Sequence, residues 1–256
     1  RMIRADQLKF RGFTRCGSPS CRLLAVTWLI LFLFAALAAN NPVRAQSETP
    51  AVEEPDEPSV DFSLFSVRNP VVGKRVSVDA AFAEKHGMDV PAPFSVIIPA
   101  SHDFLTVAAF GPGGDTYMKI SFATPDRQLI DNLRIVSMTA PLGEPENRLN
   151  MTAGLLAEQG FDLAVQGFAD AERHTVRKIR VGRYDAVEVI GTYTDPALGP
   201  MFVRLVGIPN PESRFSVFAI TNVVAQRTKI ADGDDLTEKT RSGRALTTFR
   251  YLDPDQ

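Results

Sequence analysis

Three observations predict an α+β fold built on a central antiparallel sheet covered by helices on both faces. Between Tyr184 and Asn222, three apolar segments, DAVEVIGTY, MFVRLVGI and FSVFAIT, are separated only by the breaks DPALGP and PNPESR. Strands joined by such short connections pair as an antiparallel meander. Both faces of these strands are largely apolar: Val187, Val189 and Tyr193 line the first, Phe202, Val206 and Ile208 the second, and Phe218 and Ile220 oppose Phe215 and Val217 in the third. A sheet of that kind is expected to be covered on both sides by helices or other segments. Helical signals fall singly after runs of strands, and the absence of alternating βαβ units excludes a doubly wound nucleotide fold.

The chain opens on a basic stretch followed by LLAVTWLILFLFAALAA over 23–39, an uncharged and mostly apolar run with the pattern of an export signal or a single-pass anchor. Val43-Arg44-Ala45 has the small-x-small form of a signal peptidase site, and the positive flank keeps the N-terminal side in the cytoplasm. Cys21 precedes the apolar run, which argues against a lipoprotein signal. Either alternative puts the body outside the cytoplasm, with membrane contact only through 23–39 if that run is retained. Residues 1–45 are therefore assigned to the signal or anchor, 46–60 (QSETPAVEEPDEPSV) to an extended, solvated acidic linker, and 61–256 to one α+β domain.

Composition narrows the function. Seven basic residues and one acid, Asp6, precede position 46, so of 28 basic and 30 acidic residues the remainder keeps 21 and 29, a net charge of −8. Such a surface is a poor general binder of nucleic acid or anionic lipid, and no nucleic-acid partner is expected. The two cysteines, Cys16 and Cys21, lie in the leader, so the body has no disulfide framework, no cysteine metal site and no cysteine nucleophile.

In chain order, DFSLFSV (61–67) is a short strand candidate, and SVDAAFAEKHG reads as a short helix with Asp79 near its start and Gly87 just beyond its end. Strand signals follow at FSVIIP (94–99), FLTVAAF (104–110), TYMKISFA (116–123) and LRIVSMT (133–139), each bounded by turn residues. In TYMKISFA, Met118, Ile120 and Phe122 alternate with Tyr117, Lys119 and Ser121, a half-buried pattern. Leu149, Ala153, Leu156, Ala157 and Gly160 form one helical stripe over 147–159 that should lie on the sheet, with Gly160 as its stop. A strand over 161–168 (FDLAVQGF) and a charged strand over 173–182 come next. At the end, DLTE (235–238) reads as a capping box opening a helix along Leu236, Gly243, Leu246, Phe249 and Leu252, with close backbone contact at Gly243.

Motifs for chemistry are sparse. GPGGD (111–115) lies between strand signals, which makes it a hairpin loop and not a phosphate cradle. DGDD (232–235) with Glu238 lacks the ligand spacing of a calcium loop. His86, His102 and His174 have no ligand spacing among them, and no G-x-S-x-G elbow is present. Asn150-Met151-Thr152 is a sequon inside a predicted helix. No catalytic residue, metal ligand or cofactor is assigned.

What remains is the basic set Arg173, His174, Arg177, Lys178, Arg180 and Arg183, which reads either as a partner or anion surface or as an edge strand protected from aggregation by its charges. Alternation along a strand would put Arg173, Arg177 and Arg183 on one face and His174, Lys178 and Arg180 on the other. Neither face would then be fully buried, so the strand should lie at the sheet edge, and charge reversal at Arg177 and Arg183 should slow a partner's association far more than it alters folding.

The succession FSVIIP, a meander, ENRLNMTAGLLAEQG, YDAVEVIGTY, MFVRLVGIPNPESRFSVFAIT and ALTTFRYL resembles the superfamily of photosystem extrinsic PsbP-like proteins and the Ran-binding nuclear import factor, over about 90–252. The resemblance rests on element order and hydrophobic pattern. It implies a central antiparallel sheet with helices on both faces and binding or assembly work instead of catalysis, and it transfers no functional residue. The functional expectation is an exported, non-enzymatic envelope protein that binds a protein partner; the alternative is an enzyme or small-ligand binder with its site at the sheet edge.

Overall fold

The computed structural model describes residues 70–112 and 116–253. The leader, the acidic linker, the strand candidate at 61–67 and part of the 111–115 loop lie outside the described residues. Among the described residues ten strands form two sheets. The larger has seven strands in the order β3 (Leu105–Phe110), β4 (Thr116–Ala123), β5 (Leu129–Thr139), β9 (Phe215–Val224), β8 (Gly199–Ile208), β7 (Tyr184–Asp195) and β6 (Glu172–Val181), and every adjacent pair is antiparallel. The smaller sheet pairs β1 (Gly73–Val78) and β10 (Arg250–Tyr251) on either side of β2 (Phe94–Pro99). GKRVSV, which carries no strand expectation, thus forms β1.

The meander is where the apolar segments place it, and alternation divides its side chains between two cores. Val187, Val189, Val203 and Leu205 pack with Leu149, Leu156 and Phe161. The intervening set, including Ala186, Val206, Ile208, Val217 and Ala219, packs with Ala245, Leu246 and Phe249 and with Phe94 and Val96 of the small sheet. Each large side chain fully buried in this way contributes about 1.5–3 kcal/mol. In β4, Met118, Ile120 and Phe122 are buried and Lys119 is exposed. A register break between Thr116 and Met118 turns Tyr117 inward against Phe94.

Helix α1 (Ala80–His86) has the expected ends: the Asp79 carboxylate accepts from the Phe82 N–H, and Gly87 closes the helix at φ 62°. Two expectations are corrected. Residues 161–168 are not a strand. Helix α2 (Pro145–Leu155) runs through a π-helical turn (Leu156–Gly160) into α3 (Phe161–Ala164), and Gly160 keeps right-handed dihedrals at φ −63° and ψ −41°. The chain stays helical because Phe161 seats its ring over Gly191 of β7, where a Cβ would clash with it. A short apolar run suits a strand or a buried helix equally, and tertiary packing decided.

The C-terminal amphipathic pattern is likewise not one helix. Asp235–Glu238 form α4, Arg241–Thr247 form α5, and Phe249 follows the second helix. No capping box forms: Asp232 Oδ1 accepts from the Asp234 and Asp235 N–H groups, while the Asp235 carboxylate accepts from the Ala231 N–H and Lys239 Nζ. Thr240 breaks the continuity. Its hydroxyl donates to the Leu236 carbonyl and accepts from Gly243 N–H, ending one helix and capping the next. A Cβ at Gly243 would fall on the Leu236 carbonyl oxygen, which is the expected close backbone contact.

Candidate partner surface

The charged strand is β6, the last strand of the large sheet, paired among the described residues on one side only, with β7. Its predicted alternation is broken near the start: Arg173 stands opposite Gly191 and Thr175 opposite Ile190, so the partner strand advances by one residue while β6 advances by two. This bulge exchanges the faces of the residues before it. Arg173 donates to the Ala157 carbonyl of the π turn, and Lys178 pairs with Glu146 of α2. On that same side Arg180 lies 3.4 Å from Asp185. The other side carries His174, whose imidazole is 2.7 Å from Thr192 Oγ1, and Arg177. Arg173 therefore sides with Lys178 and Arg180, contrary to simple alternation. Arg183 lies in the turn after the strand, with its guanidinium over the Tyr184 ring.

Arg177 differs from the rest. It donates to Glu188, whose side chain is completely buried, and its Nη2 reaches Asp234 at 2.7 Å. The other Glu188 oxygen accepts from Arg204, itself buried on β8, and Arg204 Nη2 donates to Thr237 Oγ1 at 2.8 Å. Burial works against both guanidinium charges. For Arg177 the hydrogen bonds to Glu188 and Asp234 outweigh it and raise the pKa, whereas for the more deeply buried Arg204 the loss of solvent prevails and lowers it. Glu188 and Asp234 together neutralise the two arginines, and the network ties the loop before α4 to the sheet. Reversing Arg177 would place a second carboxylate against a buried one, so the expectation that its reversal alters folding little is corrected.

Neither Glu188 nor Arg204 was singled out from sequence, yet each interrupts an otherwise apolar run, DAVEVIGTY and MFVRLVGI, and opposite charges in adjacent meander strands are the signal that could have paired them. His86 packs beside Phe82 and Phe110, His102 is exposed in the loop after β2, and His174 lies on the edge strand against Thr192, so the three histidines are not brought together. The 232–235 carboxylates are committed to α4 and Arg177, and among the described residues no group of three or more His, Cys, Asp or Glu could hold a metal. Among the same residues no helix is long and apolar enough to cross a membrane.

No family model and no curated protein matches the chain. Solved structures do. LpqN of Mycobacterium tuberculosis, described as involved in cell envelope biogenesis, is 12% identical, with 70% of this chain and 91% of that chain covered and a TM-score of 0.40. The cyanobacterial PsbP (CyanoP) of Synechocystis sp. PCC 6803 is 12% identical over 74% of this chain and 99% of its own, at 0.39. The Ran-binding protein Mog1p of Saccharomyces cerevisiae is 9% identical over 72% and 98%, at 0.35. The neighbours thus include both groups that the order of elements resembles.

Proposed function

We propose that this protein works outside the cytoplasm as a binding or assembly protein and holds a protein partner of the envelope through the exposed cations of β6. The observation that carries the reading is the placement of Arg173, Lys178 and Arg180 on one side of an open sheet edge, in a chain whose net charge beyond position 45 is −8. Lys178 and Arg180 are held by exposed carboxylates, Glu146 and Asp185. Exposed pairs of this kind contribute only about 0.2–1 kcal/mol each, so a partner's carboxylates can replace them at little cost while the side chains are already directed outward. Export follows from the basic flank, the apolar run and the V-R-A site.

The competing enzymatic reading has one specific observation in its favour: His174 lies 2.7 Å from the Thr192 hydroxyl and 3.7 Å from Glu172. The His174 and Glu172 side chains are 40% and 73% exposed, so water screens the trio, whereas such groups gain most in a closed, dry site. Capture from envelope extract, with the wild-type chain and a Lys178→Glu/Arg180→Glu variant of unchanged circular dichroism as baits, tests the proposal. One protein enriched by the wild type and lost from the variant is expected. Equal recovery by both, or no reproducible partner, contradicts it.

A further inference from the structure

The two edges of the large sheet are guarded differently. β6 carries charges and a bulge, both of which keep an edge from pairing. β3, at the other edge, has neither: LTVAAF contains no charge, proline or glycine, its ladder to β4 runs without a break, and all six residues are exposed. The register also settles which backbone groups are open. Gly111 N–H bonds the Tyr117 carbonyl while Phe110 stands opposite Met118, so Phe110 and Met118 form a non-hydrogen-bonded pair and the ladder to β4 is made by Leu105, Val107 and Ala109. The N–H and C=O groups of Thr106, Ala108 and Phe110 therefore point away from the sheet. Leu105 and Val107 are 41% and 54% exposed, unusually apolar for an unprotected edge.

At its Phe110 end this edge meets a cleft of about 310 Å³ lined by Phe82, His86 and Phe110, with Lys74, Arg75 and Lys85 around it. Asp79, the carboxylate in that lining, is engaged by the Phe82 N–H at the start of α1, and Arg75 donates to Ser95. Among the described residues Lys74 and Lys85 have no acidic partner. The open ladder calls for an extended chain, and the lysines call for acid at one end of it. A second copy of β3 would bring no acidic residue within its six positions, so self-pairing does not answer the charge.

We propose that β3 accepts an extended segment of a partner protein as an added strand, with uncharged side chains along the edge and acidic residues at the end that reaches Lys74 and Lys85. This surface is separate from the cations of β6, and the two proposals stand or fall independently.

The test is fluorescence anisotropy of the chain with a synthetic peptide in which three glutamates precede alternating threonine and valine, an order that brings the acids to the cleft in an antiparallel pairing. Saturable binding is expected. It should weaken by about tenfold or more when alternate peptide nitrogens are methylated, when the glutamates are replaced by lysine, or when Ala108→Pro removes an outward N–H and the ring crowds the incoming strand. Lys74→Glu with Lys85→Glu should favour the lysine peptide over the glutamate one, and Lys178→Glu/Arg180→Glu should change nothing. The methylated peptide needs no protein variant, so the test survives a destabilised Ala108→Pro. Absence of binding, binding indifferent to methylation, or self-association through β3 that the peptide does not displace would overturn the proposal.

Discussion

Glu188 decides what the charged strand can tolerate. Its carboxylate is fully buried between Arg177 and Arg204, and removing one member of such a network leaves an uncompensated charge inside the protein. Glu188→Gln is expected to cost about 3–5 kcal/mol in chemical denaturation, whereas Glu188→Leu with Arg204→Met should recover much of that loss, because an apolar pair of similar volume avoids the desolvation penalty. Additive losses in the double variant would show that the network is not a unit. Asp131 carries a pH signature. It is completely buried and accepts the Ser242 and Arg241 N–H groups at 2.8 and 3.3 Å, and burial raises its pKa above the ordinary 3.8 despite those bonds. As pH rises past 3.8, the unfolded chain therefore releases this proton before the folded one does, and stability contributed at low pH is lost. Urea titrations from acid upward should show the wild type losing ground to Asp131→Asn over that interval; a constant difference would contradict the assignment. The exposed basic residues were readable from sequence as a group. The separation of Arg177 from Lys178 and Arg180 was readable too; the sides of Arg173 and His174 were not, since a bulge between Arg173 and Thr175 leaves no mark in residue types.

The elements were legible where local chemistry and burial agree. Asp79 and Gly87 bound α1, and the strands read at 94–99 and 116–123 have the observed bounds, although Tyr117 turns inward against its expected alternation. They were illegible where contacts distant in sequence decide. Nothing local to FDLAVQGF shows that Phe161 will find space over Gly191, and nothing local to 235–252 shows that Thr240 will serve two helices. The docking of α2 and the π turn on β8 can be tested directly. A Cβ at Gly207 would lie 2.6 Å from Thr152 Cγ2 and 2.8 Å from Leu156 Cδ1, so Gly207→Ala should cost about 1–3 kcal/mol by overpacking. In a Thr152→Ala/Leu156→Ala background both contacting groups are gone, and the penalty should shrink. An equal penalty in both backgrounds would mean that these helices do not press on the sheet at this point.

At the scale of the molecule, the large sheet has one edge covered with charge and one left apolar, and the functional reading rests on the charged edge alone. The sheet and its meander were visible in the alternation of apolar residues. The separate three-stranded sheet was not, because β10 joins it from the far end of the chain through two residues, Arg250 and Tyr251. The cations of β6 are proposed to receive an acidic partner, and exposed charges act on encounter more than on residence. Once a partner has been captured, its association rate should be measured as sodium chloride is raised, for the wild type and for Lys178→Glu/Arg180→Glu. The wild-type rate is expected to fall steeply as salt shortens the screening length to about 8 Å and below, and the variant to be slow and nearly insensitive to salt. Identical rates with identical salt dependence would contradict the proposal.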